Sequence, residues 1–147
     1  MNIRLAEAAE IGDLVEFNQA MALETEGKRL VPEVLRAGVS ASFDDPQKGF
    51  YVVAEADGRI AGGLMVTYEW SDWRNSWVWW IQSVYVRPEF RGQRVYSKLY
   101  DFVKQRAVEA GAFGIRLYVE NDNYHAQKVY EKVGMEPSHY VMYEEML

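Results

Sequence analysis

Cysteine is absent from the 147-residue chain. Its absence excludes disulfides, thiolate metal sites and a cysteine nucleophile. With only two histidines as well, we expect no metal centre. No apolar run reaches the ~20 residues that a membrane-crossing helix needs, and the first residues lack the apolar stretch of a signal peptide. These absences predict a cytoplasmic protein that does not bind a membrane.

An excess of positive charge is also missing, since the formal net charge is −6 and the pI is about 5.0. A nucleic-acid binder relies on a basic surface, so that class of partner is disfavoured. A cationic small molecule would be attracted by the overall field. Hydrophobic residues make up 49% of the chain, which is enough to pack one core. We predict a single domain over residues 1–147.

Hydrophobic periodicity predicts ten elements in the order β-α-α-β-β-β-α-β-α-β. The predicted strands are residues 3–6, 50–56, 59–68, 77–86, 114–120 and 138–146, and the helices are 11–24, the stretch that starts at 31, the stretch after 92, and 123–133. Asp57-Gly58 reads as a two-residue hairpin turn, and Gly62-Gly63 as a bulge or a close backbone approach. The order predicts an α/β (α+β) mixed sheet with helices on both faces.

The most informative stretch is residues 81–100, which read as a buried strand, a short basic turn and a helix. The first turn of a helix presents unpaired N–H groups and the positive end of the helix dipole. Arg91 and Arg94 add cationic groups at the same place. Two interpretations stay open: the amides from Gly92 to Ser97 bind a pyrophosphate, or this is an ordinary strand-to-helix turn with exposed arginines.

The same residues resemble a known family. Val84-Tyr-Val-Arg-Pro-x-x-Arg-Gly-Gln-Arg-Val-Tyr96 is similar to the acetyl-CoA-binding motif of the GNAT family of N-acetyltransferases, whose loop reads Arg/Gln-x-x-Gly-x-Gly/Ala. Arg91 matches the first position, while Arg94 and Tyr96 replace the two small residues. Asn123-x-x-Ala-x-x-x-Tyr130-Glu-Lys-x-Gly-Met resembles the later motif of the family, and the spacing between the two motifs also fits.

The resemblance implies a GNAT-like acyl-CoA N-acyltransferase fold and acetyl-CoA as cofactor. It implies that the strand around Val84 splays from the next strand and pairs with the pantetheine arm. It also implies that the loop after Arg91 holds the pyrophosphate, and that Tyr130 lies near the cofactor sulfur as a general acid. The cofactor-binding residues so implied are Val84, Tyr85, Val86, Arg91, Gly92, Gln93, Arg94, Val95, Tyr96, Ser97, Asn123 and Tyr130.

Spacing alone gives two of these residues simpler roles. Tyr130 shares a helix face with Ala126 and Val133, which is typical of a core tyrosine with a satisfied hydroxyl. Asn123 stands where a helix N-cap is expected, and an N-cap and a cofactor contact are compatible.

The general base and the acceptor are less defined. Several family members carry a glutamate where this chain has Gln82, and glutamine cannot accept a proton. Water, another acid or an amine that arrives deprotonated must then serve. The acids named by neighbourhood alone are Glu24, Glu26, Glu69 and Asp72, each of which also reads as a solvated surface acid.

Aromatic residues are dense near the third and fourth strands. Alternation places Trp77 and Trp79 on one face of the fourth strand and Trp80 on the other, as core or rim residues. Tyr68, Trp70 and Trp73, with nearby acids, could form an acceptor pocket in which a cation rests on an indole face. The tryptophan loop is loosely similar to the matching loop of spermidine/spermine acetyltransferases, which hints at amine acceptors.

The sequence therefore predicts an acetyl-CoA-dependent N-acetyltransferase that acts on a primary amine of a small molecule. Peptide or protein amines remain open as acceptors. Outside the enzymes, the rival interpretation is a non-catalytic CoA-binding or protein-interaction module, which Gln82, Arg94 and Tyr96 favour. Exposed tryptophans and a last strand at the sheet edge would permit a homodimer.

Overall fold

A computed structural model describes all residues, 1–147. The chain divides into two compact units, Met1–Leu117 and Tyr118–Leu147. No helix combines the length and the apolar character that crossing a membrane requires. The single-domain assignment stays a prediction.

The first unit contains all the strands and three of the four helices. Its elements are β1 (Asn2–Leu5), α1 (Ile11–Glu26), α2 (Pro32–Asp44), β2 (Phe50–Ala56), β3 (Arg59–Ser71), β4 (Ser76–Val86), α3 (Val95–Glu109) and β5 (Gly114–Arg116). The second unit contains α4 (Tyr124–Lys132).

The five strands form one sheet in the order β1-β2-β3-β4-β5. The pairs β1–β2, β2–β3 and β3–β4 are antiparallel, and the pair β4–β5 is parallel. A parallel neighbour requires a crossover connection, and α3 supplies it between β4 and β5. The predicted mixed α/β sheet is confirmed.

Each face of the sheet is covered by helix. On one face, Leu14 and Phe17 of α1 and Val39 of α2 share a buried cluster with Val53 and Tyr85 of the sheet. The strand residues that alternate with these point to the other face and pack against α3, whose Leu99 and Val103 are fully buried. We call these the α1/α2 face and the α3 face. Burial on both faces explains the near-continuous apolar runs of β2 and β4.

Two short sequence signals are confirmed. Asp57 and Gly58 have φ values of 53° and 71°, as a tight hairpin turn requires. A Cβ added at Gly62 would lie 2.7 Å from the carbonyl oxygen of Tyr85 and 3.2 Å from Cα of Val86. Gly62 is therefore a close approach between the backbones of β3 and β4.

The predicted last strand is wrong, because residues 138–146 form no regular secondary structure. Regular pairing in β5 ends at Arg116, although the alternating sequence predicted a strand to Glu120. β3 in turn runs further than predicted, to Ser71, because its residues pair with β4 up to the hairpin turn. A strand exists only where a neighbouring strand accepts its hydrogen bonds, and the sequence pattern does not specify that neighbour.

Gly62→Ala tests the close approach of β3 and β4. The added methyl group must displace backbone atoms, so we expect a loss of ~1–3 kcal/mol in unfolding free energy, measured by chemical denaturation. Gly38→Ala is the matched control, because a Cβ at Gly38 in α2 meets nothing within 4 Å. We expect that variant to gain up to ~1 kcal/mol. Equal effects of the two substitutions would contradict the steric explanation.

Candidate active site

The candidate site is built around a bulge in β4. Gly63 pairs with Tyr85 and Met65 with Gln82, so one residue of β3 lies opposite two residues of β4. Ser83 takes up the extra length with a positive φ of 52°, which is uncommon for a residue other than glycine. The bulge bends β4 and disrupts its regular pairing just before the basic turn.

The bulge also changes which side chains share a face. Without it, Gln82 and Tyr85 would point to opposite sides of the sheet, since they are three residues apart. The register places both on the α1/α2 face, because Gln82 pairs with Met65 and Tyr85 with Gly63. Two polar side chains therefore flank the irregular backbone of Ser83 and Val84 on one face.

One edge of β4 is open beside the bulge. β5 pairs with β4 only at Val78–Trp80, so residues 81–86 have a strand neighbour on the β3 side alone. This half of β4 presents backbone N–H and C=O groups along an edge that an extended, amide-containing group can pair with.

The end of β4 is tied to α1 by a small polar cluster. The Tyr85 hydroxyl donates to Glu24 at 3.2 Å, and Arg91 donates to the same carboxylate at 3.0 Å. Arg91 also donates to the Val86 carbonyl at 2.9 Å, and its guanidinium lies 5.4 Å from the centre of the Tyr85 ring. Burial, followed by the nearby Glu24 carboxylate, raises the pKa of Tyr85. The Arg91 side chain therefore fixes the start of the basic turn, and Tyr85 stays protonated.

The turn leads into the N-terminus of α3 as the sequence predicted. Gly92 has a φ of 78°, and α3 begins at Val95. The Lys98 N–H donates to the Arg94 carbonyl, and the amides of residues 95–97 precede that first helical bond. The first turn of α3 contains no acid. Free amides, a helix dipole and Arg94 thus coincide at one place and suit an anion.

The structure explains how two residues replace the small residues of the family loop. Arg94 adopts the left-handed conformation, with φ 61° and ψ 29°, which glycine adopts without strain. Tyr96 is only 8% exposed, and its ring lies 6.2 Å from that of Tyr100. Because the Tyr96 side chain is in the core, it does not fill the space above the amides.

Gln82 is held in place by the neighbouring strand. Its Nε2 donates to Oγ1 of Thr67 at 2.6 Å, which leaves its carbonyl oxygen as an acceptor. With Glu24 near Tyr85, the α1/α2 face beside the bulge therefore offers acceptors and a carboxylate, but Gln82 itself cannot take a proton.

The other three acids lie in separate places. Glu26 pairs with Lys28 at 3.4 Å, and Asp72 accepts from the Trp73 amide in the β3–β4 turn. Glu69 accepts from Trp80 Nε1 at 2.8 Å and contacts Arg116 at 3.5 Å. None of these three is brought to the bulge.

The aromatic residues separate into distinct groups. A ladder of rings follows the α3 face of β3 and β4, with centroids 5.6 Å apart for Tyr68 and Trp79 and 5.0 Å for Trp70 and Trp77. Trp80 pairs with Thr67 on the other face, as alternation predicted. Trp73 is 92% exposed in the hairpin turn. The turn lies ~20 Å along β4 from the bulge, because a strand rises ~3.3 Å per residue. Tyr68, Trp70 and Trp73 are therefore not brought together with Gln82.

The second unit contains the two residues of the later motif. Asn123 caps α4, since its side chain accepts from the Ala126 amide at 3.2 Å. Tyr130 lies on the partly buried face of α4, and burial raises the pKa of its hydroxyl. The predicted cap is confirmed, and Tyr130 is a protonated phenol at neutral pH.

Arg87 is a positioning residue that sequence reasoning missed. Its guanidinium donates to Glu16 at 2.8 Å and to Asp13 at 3.1 Å, and its Nε donates to the Ile60 carbonyl at 2.8 Å. These contacts fix the last residues of β4 against α1. The sequence signal for this contact is Asp13 and Glu16, two acids three residues apart on one face of α1.

Comparisons with known proteins agree with this geometry. The model of the family described as "Acetyltransferase (GNAT) family" matches residues 14–135. Mycothiol acetyltransferase of Corynebacterium aurimucosum is 31% identical over 69% of this chain, but the match spans only 34% of that protein. Thialysine N-epsilon-acetyltransferase of Bos taurus is 27% identical, covering 88% of this chain and 71% of that one. The crystal structure of a possible acetyltransferase from Clostridium difficile 630 is 39% identical, with a TM-score of 0.92 over 99% of this chain and 97% of that chain.

Arg94→Gly tests the strain in the turn before α3. A left-handed residue with a Cβ costs roughly 1–2 kcal/mol, while glycine costs ~0.5–1 kcal/mol in lost chain entropy. We expect the glycine variant to unfold at a higher denaturant concentration, with a gain of ~0.5–1 kcal/mol. Arg94→Ala is the control, because it removes the charge and keeps the Cβ. A glycine variant no more stable than the alanine variant would contradict the strain.

Proposed function

Because the chain belongs to the GNAT acetyltransferase family, we propose that it transfers the acetyl group of acetyl-CoA to a primary amine of a small molecule. The observation that carries the proposal is the continuity of the open edge of β4 with the basic N-terminus of α3. The edge suits the peptide-like arm of the cofactor, and the helix terminus suits its pyrophosphate. Acetyl-CoA supplies an activated acetyl group and a thiol leaving group.

The residues present fit this cofactor. The backbone of Val84, Tyr85 and Val86 is proposed to pair with the pantetheine arm. The amides that follow Arg91 are proposed to bind the pyrophosphate, with Arg94 as an added cation, and no acid in the first turn of α3 opposes this. Burial of the Tyr96 side chain leaves the approach to the amides open. Asn123 is proposed as a further cofactor contact.

The chemistry requires the nitrogen of a neutral amine to bond to the acetyl carbon while the carbon–sulfur bond breaks. A backbone N–H near Val84 is proposed to donate a hydrogen bond to the carbonyl oxygen and so to stabilise the negative charge that develops on it. Tyr130 is assigned as the acid that donates its proton to the departing sulfur. Because Gln82 cannot accept the proton of the amine, we propose that water or another acid takes it, or that the amine arrives deprotonated.

A small amine is supported by the surroundings of the bulge on the α1/α2 face. Glu24 and the carbonyl oxygen of Gln82 can attract and hold an ammonium group near neutral pH, before it loses its proton. A curated relative is named for acetylation of thialysine, which is a small amine. The acceptor site proposed here therefore lies between α1 and β4, and it does not include the rings of Tyr68, Trp70 and Trp73.

Binding and turnover of acetyl-CoA test the function directly. We expect isothermal titration calorimetry to detect CoA binding, and thiol release from acetyl-CoA to depend on an amine from a panel of small amines, polyamines, amino acids and peptides. Salt should weaken binding, because the pyrophosphate contact is electrostatic. Binding without turnover across the panel would favour a CoA-binding module instead, and no binding would remove the enzyme interpretation.

Tyr130→Phe tests the general acid. One positioned acid contributes ~10²–10⁴-fold to a rate, so kcat should fall by that range while the Kd for CoA stays nearly unchanged. Because burial raises the pKa of Tyr130, wild-type activity should not decline between about pH 7 and pH 9.5. Tyr124→Phe is the control, since Tyr124 is exposed on the same helix. Full activity of Tyr130→Phe would refute the assignment.

A further inference from the structure

Two side chains of opposite charge lie on the α1/α2 face of the sheet, beyond Gln82 toward the β3–β4 turn. Trp80 lies opposite both Thr67 of β3 and Arg116 of β5, and Glu69 is two residues from Thr67. Opposite residues of neighbouring strands point to the same side of a sheet, and so do residues two apart on one strand. All of them therefore share the face of Gln82, and all belong to the first unit.

Arg116 and Glu69, which we call the charged pair, are only loosely joined. Nη1 of Arg116 lies 3.5 Å from Oε2 of Glu69, and the side chains are 43% and 50% exposed. A charge-assisted hydrogen bond is usually ~2.7–2.9 Å long, and an exposed ion pair contributes little to folding. Glu69 is nevertheless oriented, because Trp80 Nε1 donates to its other oxygen at 2.8 Å. The charged pair can therefore exchange its contact for a ligand at small cost.

The charged pair has the two groups that recognise an α-amino acid. The guanidinium of Arg116 can bind a carboxylate through two parallel N–H donors, and Nη1 is one of its three nitrogens. The carboxylate of Glu69 can accept from an ammonium group. An α-amino acid carries its ammonium group and its carboxylate on neighbouring carbons, so it satisfies both side chains at once. A simple amine or a diamine satisfies Glu69 alone.

The distance from the charged pair to the bulge selects the length of the ligand. Gln82 is two residues from Trp80, which is ~6.6 Å along β4. Its Nε2 donates to Thr67, so its carbonyl oxygen can accept from an amine. A four-carbon stem that ends in an amine spans about 6 Å, because its five bonds of ~1.5 Å follow a zigzag. An amino acid bound at the charged pair thus places such an amine beside Gln82 and the bulge.

We infer that the acceptor is a basic α-amino acid of about the length of lysine, with its α-carboxylate on Arg116, its α-ammonium group on Glu69 and its terminal amine beside Gln82. This inference rests on the function proposed above and names the class of amine. The charged pair then determines specificity and touches no reacting atom. A lysine within a peptide is disfavoured, because its α-amino and α-carboxyl groups are uncharged amides.

Three ligands separate the two contacts without any turnover. Free lysine carries both charged groups, cadaverine is lysine without the carboxylate, and ε-aminocaproate is lysine without the α-amino group. Ligand-observed NMR titrations, in the absence and in the presence of CoA, should give lysine the highest affinity for the wild type. Each charged contact that is lost should lower the affinity by about 10–100-fold.

Neutral variants of the charged pair should each change a different subset of these affinities. Arg116→Gln should weaken lysine and ε-aminocaproate by about 10–100-fold without weakening cadaverine. Glu69→Gln should weaken lysine and cadaverine without weakening ε-aminocaproate. The matched controls are Arg74→Gln in the hairpin turn and Glu26→Gln in α1, which make the same changes in net charge elsewhere. Each control should bind all three ligands as the wild type does.

Arg116→Lys guards against loss of folding as the cause. It keeps the charge but lacks the planar fork of the guanidinium, so it should recover part of the affinity for lysine that Arg116→Gln loses. Equal recovery of affinity for cadaverine would show that the effect does not depend on the carboxylate, and it would contradict the inference.

The outcomes separate the inference from the proposed function. Equal affinity of the wild type for lysine and cadaverine, binding of none of the three ligands, or an unchanged preference for lysine in Arg116→Gln would overturn the inference. Acetylation of simple amines without a preference for lysine would overturn it as well and leave the proposed function standing. Binding of lysine that depends on Arg116, without thiol release from acetyl-CoA, would remove the proposed function and leave the amino-acid site standing.

Discussion

The bulge at Ser83 is the constraint on which the rest of the candidate site depends. A serine with positive φ costs roughly 1–2 kcal/mol, and that strain is offset by packing along β3, where Gly62 lets the two backbones approach closely. Because of the bulge, Gln82 and Tyr85 share the α1/α2 face. Residues 81–86 around the bulge form the open edge of the same strand, and the basic turn follows the strand. One extra residue thus brings together an open edge, a polar face and a helix terminus.

Electrostatics around this point differ from those of the whole chain. The protein carries a net charge of −6, yet the first turn of α3 has no acid, and Arg94 lies directly before it. On the opposite side of the turn, Glu24 pairs with Arg91. Short-range arrangement therefore places a helix terminus that suits an anion close to a carboxylate from α1, which a net charge cannot reveal. The altered loop motif is accommodated by backbone conformation at Arg94 and by burial of Tyr96.

Much of this architecture followed from the sequence, because its signals are local. Alternation located β2, Asp57-Gly58 identified the hairpin turn, and the spacing after Gly92 located α3. The bulge was not predictable from alternation, since its existence depends on the register with β3. The Glu24–Arg91 contact joins α1 to the turn across 67 positions, and neither residue signals the other. Contacts set by tertiary packing were therefore the part that pattern reading left out.

The terminal segment shows the same limit in a stronger form. Residues 138–146 have the composition of a strand, and the prediction of a strand failed because pairing is a property of two segments. Local sequence encodes how readily a segment pairs, while the segment that pairs with it is decided by the three-dimensional arrangement of the chain.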